Sequence, residues 1–277
     1  MLLPMSDILN KAEKEGYGVV AADVFNVDTV LGIFQAADEL KSPVIINCPP
    51  RYDLELIAQA IKFYSLRYPE VVVASNLDHG LKFETAVEAL KYGFTSIMVD
   101  RSQLPFEENI KETAEIAKIA HAVGVSVEAE LGHVGKGVSY DIDRDAGLTR
   151  VEEAVEYISR TSVDCLAVAI GTAHGRYTGV PKIDFDRLVS IKEKVSVPLV
   201  LHGGSSTGDD NLKKAVKLGI TKVNIFTDLL IEGAKYIKDH IEKEKSSTME
   251  SIYKEGMTGY KNMLKHYMYL FESVNRI

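Results

Sequence analysis

The feature that most narrows the fold is a rhythm. A short apolar stretch followed by an amphipathic one recurs eight times between Gly18 and Glu244. The apolar stretches predict strands at Gly18–Ala22, Val44–Cys48, Val71–Ser75, Ser96–Asp100, Ser126–Glu130, Cys165–Ile170, Leu199–Leu201 and Lys222–Ile225. Helical spacing follows each one, near Thr29–Leu40, Leu54–Tyr64, Phe83–Tyr92, Phe106–Val123, Val151–Arg160, Asp184–Lys194, Asp209–Leu218 and Asp228–Glu244. In Phe106–Val123, the residues Ile110, Ala114, Ala117, Ile119 and Ala120 are expected to share the buried side. A further helix over Ser6–Glu15, with Ser6 as its N-cap, precedes the first unit. Short strands rich in valine and isoleucine suit a parallel sheet covered by helices. Eight such units in about 250 residues match a (β/α)8 TIM barrel. A doubly wound open sheet is the alternative; it would tend to carry a glycine-rich signature at its first strand, and this chain has none there.

No linker divides the chain, so one barrel domain over residues 1–277 is expected, with Ser246–Ile277 as a helical extension. That extension carries Tyr253, Tyr260, Tyr267 and Tyr269, which read as exposed, and it would either cap the barrel or form a subunit contact. The segment Gly132–Thr149 breaks the rhythm and reads as a mobile active-site loop. A net charge of −8, without a basic stripe, argues against nucleic-acid binding. An anionic ligand must therefore be held by local features. Cys48 and Cys165 lie in strand-like runs and read as reduced structural thiols. Met1–Asn10 lacks the pattern of a signal peptide, and no apolar run is long enough to span a membrane. A cytoplasmic location without membrane contact is expected.

The chemistry concentrates at strand ends. Val200-Leu201-His202-Gly203-Gly204-Ser205 delivers an imidazole to a strand tip and then opens into bare backbone N–H groups, which suits a metal ion beside a phosphate. Asp78-His79-Gly80 and Gly171-Thr172-Ala173-His174-Gly175 follow two other apolar runs. In a barrel these endings converge on one face. Three imidazoles, His79, His174 and His202, with an open fourth position describe a catalytic zinc site. Asp100 and Glu130 are the carboxylates placed to orient the rings. His121, His240 and His266 read as surface or structural residues. Gly175, Gly203–Ser205 and Asn224–Thr227 lie at strand-to-helix turns, where free N–H groups and the helix dipole favour an anion.

These stretches resemble the class II (zinc-dependent) fructose- and tagatose-bisphosphate aldolase family. The matching segments are Leu77–Gly80, Ile97–Asp100 with Leu104–Ile110, Val127–Gly132, Leu166–Gly175, His202–Ser205 and Lys222–Ile225, within a likeness from about Ser6 to Asp228. The resemblance implies that His79, His174 and His202 hold Zn2+ and that Asp78 shuttles the proton of the substrate's C4 hydroxyl. It implies that Gly175, Gly203, Ser205, Asn224 and Thr227 bind the dihydroxyacetone-phosphate half, with a monovalent cation, Na+ or K+, nearby. A sugar phosphate is the expected partner, and a homodimer or homotetramer the expected assembly. The chemistry agrees: retro-aldol cleavage leaves an enediolate, which either a Lewis acid or a lysine Schiff base can stabilise. No lysine stands at the sixth strand or its end.

Three stretches depart from the family pattern. The loop after strand five lacks the glutamate that handles the C3 proton, leaving His133, Tyr140 and Asp141 as candidates in its place. The family's Phe-Asn near strand one is Ala22-Asp23 here. After strand eight, Phe226 and Leu230 stand where an aspartate and an arginine usually reach the distal end of the sugar. Either another loop or subunit binds a distal phosphate, or the aldehyde half is not phosphorylated or is an unusual one. The missing loop glutamate also keeps a zinc epimerase or isomerase open as an alternative function. A non-catalytic sugar-phosphate-binding relative is the third, against which the retained Asp78 and histidine trio argue.

Overall fold

The computed structural model describes residues 1–139, 147–177 and 179–277. Eight parallel strands close into a barrel in the ring order β1 (Val19–Asp23), β2 (Val44–Cys48), β3 (Val73–Gly80), β4 (Ser96–Val99), β5 (Ser126–Leu131), β7 (Cys165–Val168), β9 (Leu199–Leu201), β10 (Ile220–Ile225) and back to β1. Around them run α2 (Val27–Leu40), α3 (Leu54–Arg67), α4 (Phe83–Tyr92), α5 (Phe106–Ala122), α6 (Val151–Thr161), α7 (Phe185–Lys192), α8 (Asp209–Lys217) and α9 (Thr227–Lys243). This is the expected TIM barrel. A small parallel pair, β6 (Gly135–Lys136) with β8 (Ala173–His174), stands outside the ring.

Alternation along each strand sorts its side chains to the two faces of the barrel wall. The outward set packs on the helices, as Ile46, Ile97 and Val127 meet Ile57, Ile116 and Tyr157 in one core. The inward set forms a separate apolar floor from Val19, Ala21, Ile45, Ala74, Cys165, Ala167 and Val200. The helix α1 (Met5–Glu15) plugs that floor with Met5, Ile8, Leu9 and Ala12. Its N-cap is Pro4, not the expected Ser6, because the Ser6 N–H instead donates to Ser126 Oγ at 3.1 Å. Above the floor the same inward positions turn polar. Ser96 Oγ donates to Asn76 Oδ1 (3.0 Å), Asn76 Nδ2 to Asn47 Oδ1 (3.1 Å), and Asn47 Nδ2 to Asp23 Oδ1 (3.2 Å).

Two other expectations need correcting. The buried side of α5 is Asn109, Ile110, Thr113, Ile116, Ala117 and Ala120, whereas Ile119 is 38% exposed. The face is turned because the Tyr157 hydroxyl lies 2.7 Å from Asn109 Oδ1 and 2.9 Å from Thr113 Oγ1, which satisfies these polar groups inside the protein. In the extension, Tyr260 and Tyr267 are buried. The helix α10 (Met249–Leu270) lies against α9 and α2 at the side of the barrel. Tyr260 Oη donates to the Asp23 carbonyl at 2.9 Å, and Tyr267 Oη to Asp228 at 2.6 Å. Beyond α10, the Phe271 carbonyl accepts from the Gly18 N–H (2.9 Å) and the Leu40 carbonyl from the Asn275 N–H (3.0 Å). Among the described residues no helix is long and apolar enough to cross a membrane.

Candidate active site

The C-terminal ends of the strands open into a cavity of about 420 Å³, whose lining includes Asp78, His79, Asp100, Glu130, His174, Gly175, Gly203, Ser205, Asn224 and Thr227. Neighbouring residues of a regular strand face opposite ways, yet Asp78 and His79 both line this cavity. The register of β3 on β4 shifts between Leu77 and Gly80, and His79 adopts a left-handed φ of 53°. That bulge turns two consecutive side chains to the same mouth. A non-glycine residue held in this region is strained, and such strain clusters at functional sites.

His202 follows β9 directly, while His174 comes from β8, which is separate from β7. The three imidazoles are mutually near-perpendicular, with centroids 4.8 to 5.7 Å apart. One nitrogen from each lies within 4.8 Å of the others. His79 Nδ1 is 2.8 Å from Asp100 Oδ2, so its Nε2 turns inward, 3.2 Å from His202 Nδ1. His202 Nε2 is 2.8 Å from Glu128 Oε1. The buried His174 Nε2 has no hydrogen-bond partner among the described residues. Three imidazole nitrogens within 4.8 Å of one another, one of them unpartnered and two of the rings braced from behind by carboxylates, fit a tetrahedral metal with an open position.

Electrostatics divide the trio. Burial, reinforced by the neighbouring imidazoles, lowers His174 to about 3, and burial likewise lowers His202. Both stay neutral, the form that ligates a metal. For His79 burial is outweighed by the charge of Asp78 and the bond to Asp100, and it rises to about 10. Asp100, despite its burial, is held well below the usual carboxylate range by His79 and by Ser102, whose N–H and hydroxyl both donate to it. Glu130 lies within 4.8 Å of His79 and Asp100 but forms no hydrogen bond to an imidazole among the described residues. Its Oε1 accepts the Val134 N–H at 3.0 Å, and burial and the charge of Asp100 raise it to about 8.

The carboxylate behind His202 is therefore Glu128, two residues before Glu130 on the same face of β5. Lys222, fully buried, sits 2.8 Å from Glu128 Oε2 and donates to Asn224 Oδ1 at 2.6 Å. Asn224 Nδ2 in turn donates to Asp78 Oδ1 at 3.1 Å. The chain Glu128–Lys222–Asn224–Asp78 thus links a metal-ligand brace to the candidate base. Neither Glu128 nor Lys222 was singled out from the sequence, although strand parity places each on the face of Glu130 and Asn224.

Beside the trio, the turn Gly203–Thr207 and the start of α9 meet at a recess of this cavity lined by Gly203, Ser205 and Thr227. Gly203 has φ of 68°, and a Cβ there would meet the Ala173 carbonyl oxygen at 2.4 Å, so this turn excludes any side chain. Ser205 Oγ accepts the Phe226 N–H (3.2 Å) and the Asp228 N–H (3.3 Å). Asp228, clamped by Tyr267, accepts from the Ser206 N–H and hydroxyl. The loop after β5 is anchored at both ends, where His133 N–H donates to the Gly147 carbonyl (2.8 Å) and Thr149 N–H to that of Ala169 (2.9 Å). His133 is exposed at the cavity rim; Tyr140 and Asp141 lie outside the described residues. His121, His240 and His266 lie away from the cavity, paired with Asp164, Ser251 and Asp209.

Residues 3–276 match the family model described as fructose-bisphosphate aldolase class-II. A fructose-bisphosphate aldolase of Helicobacter pylori is 37% identical over the whole of both chains, and one of Thermus caldophilus is 38% identical over the same extent. The crystal structure of the YdjI aldolase from Escherichia coli superposes with a TM-score of 0.89 at 32% identity, covering 100% of this chain and 99% of that one. With a barrel whose mouth gathers three histidines and a carboxylate, and with likeness over its full length, this chain belongs to the class II fructose-bisphosphate aldolase family of metal-dependent lyases.

Proposed function

We propose that the protein is a zinc-dependent aldolase. It reversibly cleaves a ketose 1-phosphate or 1,6-bisphosphate to dihydroxyacetone phosphate and an aldehyde. The observation that carries this reading is the placement of Asp78, 4% exposed and adjacent in sequence to His79, in the cavity that His79 and His174 line, and joined through Asn224 to His202. A zinc ion on His79, His174 and His202 supplies Lewis-acid stabilisation of the enediolate left by cleavage.

The protein's own groups do the rest. Asp78 takes the proton of the C4 hydroxyl as the C3–C4 bond breaks and returns it in the aldol direction. Asn224, itself fixed by Lys222, holds one Asp78 oxygen and leaves the other for the substrate. Asp100 and Glu128 keep the imidazoles oriented. Gly175, Gly203, Ser205 and Thr227 receive the phosphate of the dihydroxyacetone half, with the N-terminus of α9 favouring its charge. A monovalent cation beside that phosphate and a loop proton donor such as His133 complete the proposal. One domain, a cytoplasmic setting and a homo-oligomer belong to the same reading.

The test is release of dihydroxyacetone phosphate by the zinc-loaded protein from ketose 1-phosphates and 1,6-bisphosphates, with EDTA-treated protein as control. Asp78→Ala is expected to lower kcat by about 10²–10⁴-fold while keeping its zinc. Interconversion of epimers without dihydroxyacetone phosphate would refute the aldolase and favour the epimerase.

A further inference from the structure

The mouth holds one group that the scheme above leaves unused. Arg51 follows Pro49 and Pro50 on the loop after β2, where the Tyr52 N–H donates to the Pro49 carbonyl at 3.1 Å and closes a turn. Its guanidinium carbon lies 4.8 Å from the Tyr52 ring centroid and 5.4 Å from that of Phe226. Arg51 lines the cavity together with Asp23 and Asp78, yet it forms no ion pair with any described residue. Phe226 is tied by its N–H to Ser205, so the ring that supports Arg51 is fixed to the phosphate recess. Two aromatic contacts on a planar guanidinium orient it while leaving edge N–H donors for a ligand.

Its place in the ring of strands gives the role. The phosphate recess is built by the loops after β8, β9 and β10, and the reacting carbons lie against the trio and Asp78 on β3. The aldehyde half begins at the C4 hydroxyl held by Asp78 on β3, and β2, whose loop carries Arg51 into the same cavity, is the neighbouring strand. We propose that Arg51 is a specificity-determining residue that selects aldehydes ending in an oxyanion, a carboxylate or a phosphate, through the paired donors of its guanidinium. Phe226, which supplies no charge of its own, acts as the platform that aims Arg51. This inference rests on the aldolase reading and names the substrate class of its aldehyde half.

The experiment uses the zinc-loaded enzyme in the condensation direction, with dihydroxyacetone phosphate and three aldehydes. These are glyceraldehyde 3-phosphate, succinic semialdehyde as a carboxylate, and neutral glyceraldehyde. Arg51→Met, which keeps the apolar stem, is expected to lower the ratio of kcat/KM for the better anionic aldehyde over glyceraldehyde by about 10- to 100-fold, through KM. Arg51→Lys should restore part of that ratio, since a point charge replaces the fork. The anion whose advantage collapses identifies phosphate or carboxylate as the recognised group. An unchanged ratio, or equal losses on charged and neutral aldehydes, overturns the role of Arg51 alone. Absence of condensation by the wild type with every aldehyde overturns the aldolase reading and this inference with it.

Discussion

Lys222→Met tests the buried chain that joins His202 to Asp78. Methionine fills the space of the lysine stem but removes a charge 2.8 Å from Glu128 Oε2 and the donor to Asn224 Oδ1. Both Lys222 and Glu128 are fully buried, so the carboxylate left behind has no water to replace its partner. Removing one member of such a pair costs about 3–5 kcal/mol. The direction of the Glu128 shift agrees with this sign. Burial alone would raise Glu128, but the Lys222 charge and the His202 bond bring it from 4.5 to about 2. A lowered carboxyl of this kind contributes stability at neutral pH. Because the folded value is lowered, this stability is fully present above pH 4.5 and is lost as pH falls toward about 2. In Lys222→Met the sign reverses: Glu128 becomes a raised carboxyl, whose cost is relieved as the pH falls and it takes up a proton. Guanidinium unfolding of metal-free protein should therefore show a deficit of about 3–5 kcal/mol at pH 8 that narrows at pH 5. Adding Glu128→Gln should recover a large part of it, since no charge is then stranded. A deficit below about 1 kcal/mol, or one independent of pH, would refute the reasoning.

Zinc uptake should be coupled to protons. His79 is raised to about 10 without metal, so it is charged at pH 7 and must lose its proton to ligate. Calorimetry in buffers of different ionisation enthalpy should report about one proton released and an affinity that climbs with pH; no release at pH 7 would contradict this assignment. Asp100→Asn should weaken zinc binding by about 10- to 100-fold, measured by competition with a chelator, because the brace on His79 loses its charge. Gly203→Ala places a methyl 2.4 Å from the Ala173 carbonyl oxygen at a φ of 68°, and should destabilise the fold by about 1–3 kcal/mol in a denaturant titration.

The parts of the site legible in the sequence are those where one residue ends one strand. His202 is such a case, since an apolar run stops at β9 and the next side chain is the imidazole. The barrel was legible for a related reason, because burial by helices on one side and a packed interior on the other leaves strands almost wholly apolar. Glu128 and Lys222 escaped because the polar layer interrupts that rule inside the barrel, where a charge is tolerated only beside its partner. The partners are far apart in sequence. His79 was found by its neighbours, but its inward turn depends on a bulge that residue types alone do not announce. Arg51 is the hardest case. It comes from the loop after β2 and acquires its position from Phe226, 175 residues later in the numbering and two strands away around the ring.

The seam between β1 and β10, with Phe271 bonded to Gly18 beneath it, has a consequence for how the chain reaches this state. Val19 pairs with Lys222, and the Gly18 N–H finds its acceptor only at Phe271. The first strand therefore waits, with one edge open, until more than two hundred further residues have left the ribosome. Long-range closure of this kind is slow, and an open strand edge is where one unfinished chain pairs with another. Aggregation during synthesis should accordingly respond to changes at this seam more sharply than the stability of the finished protein does.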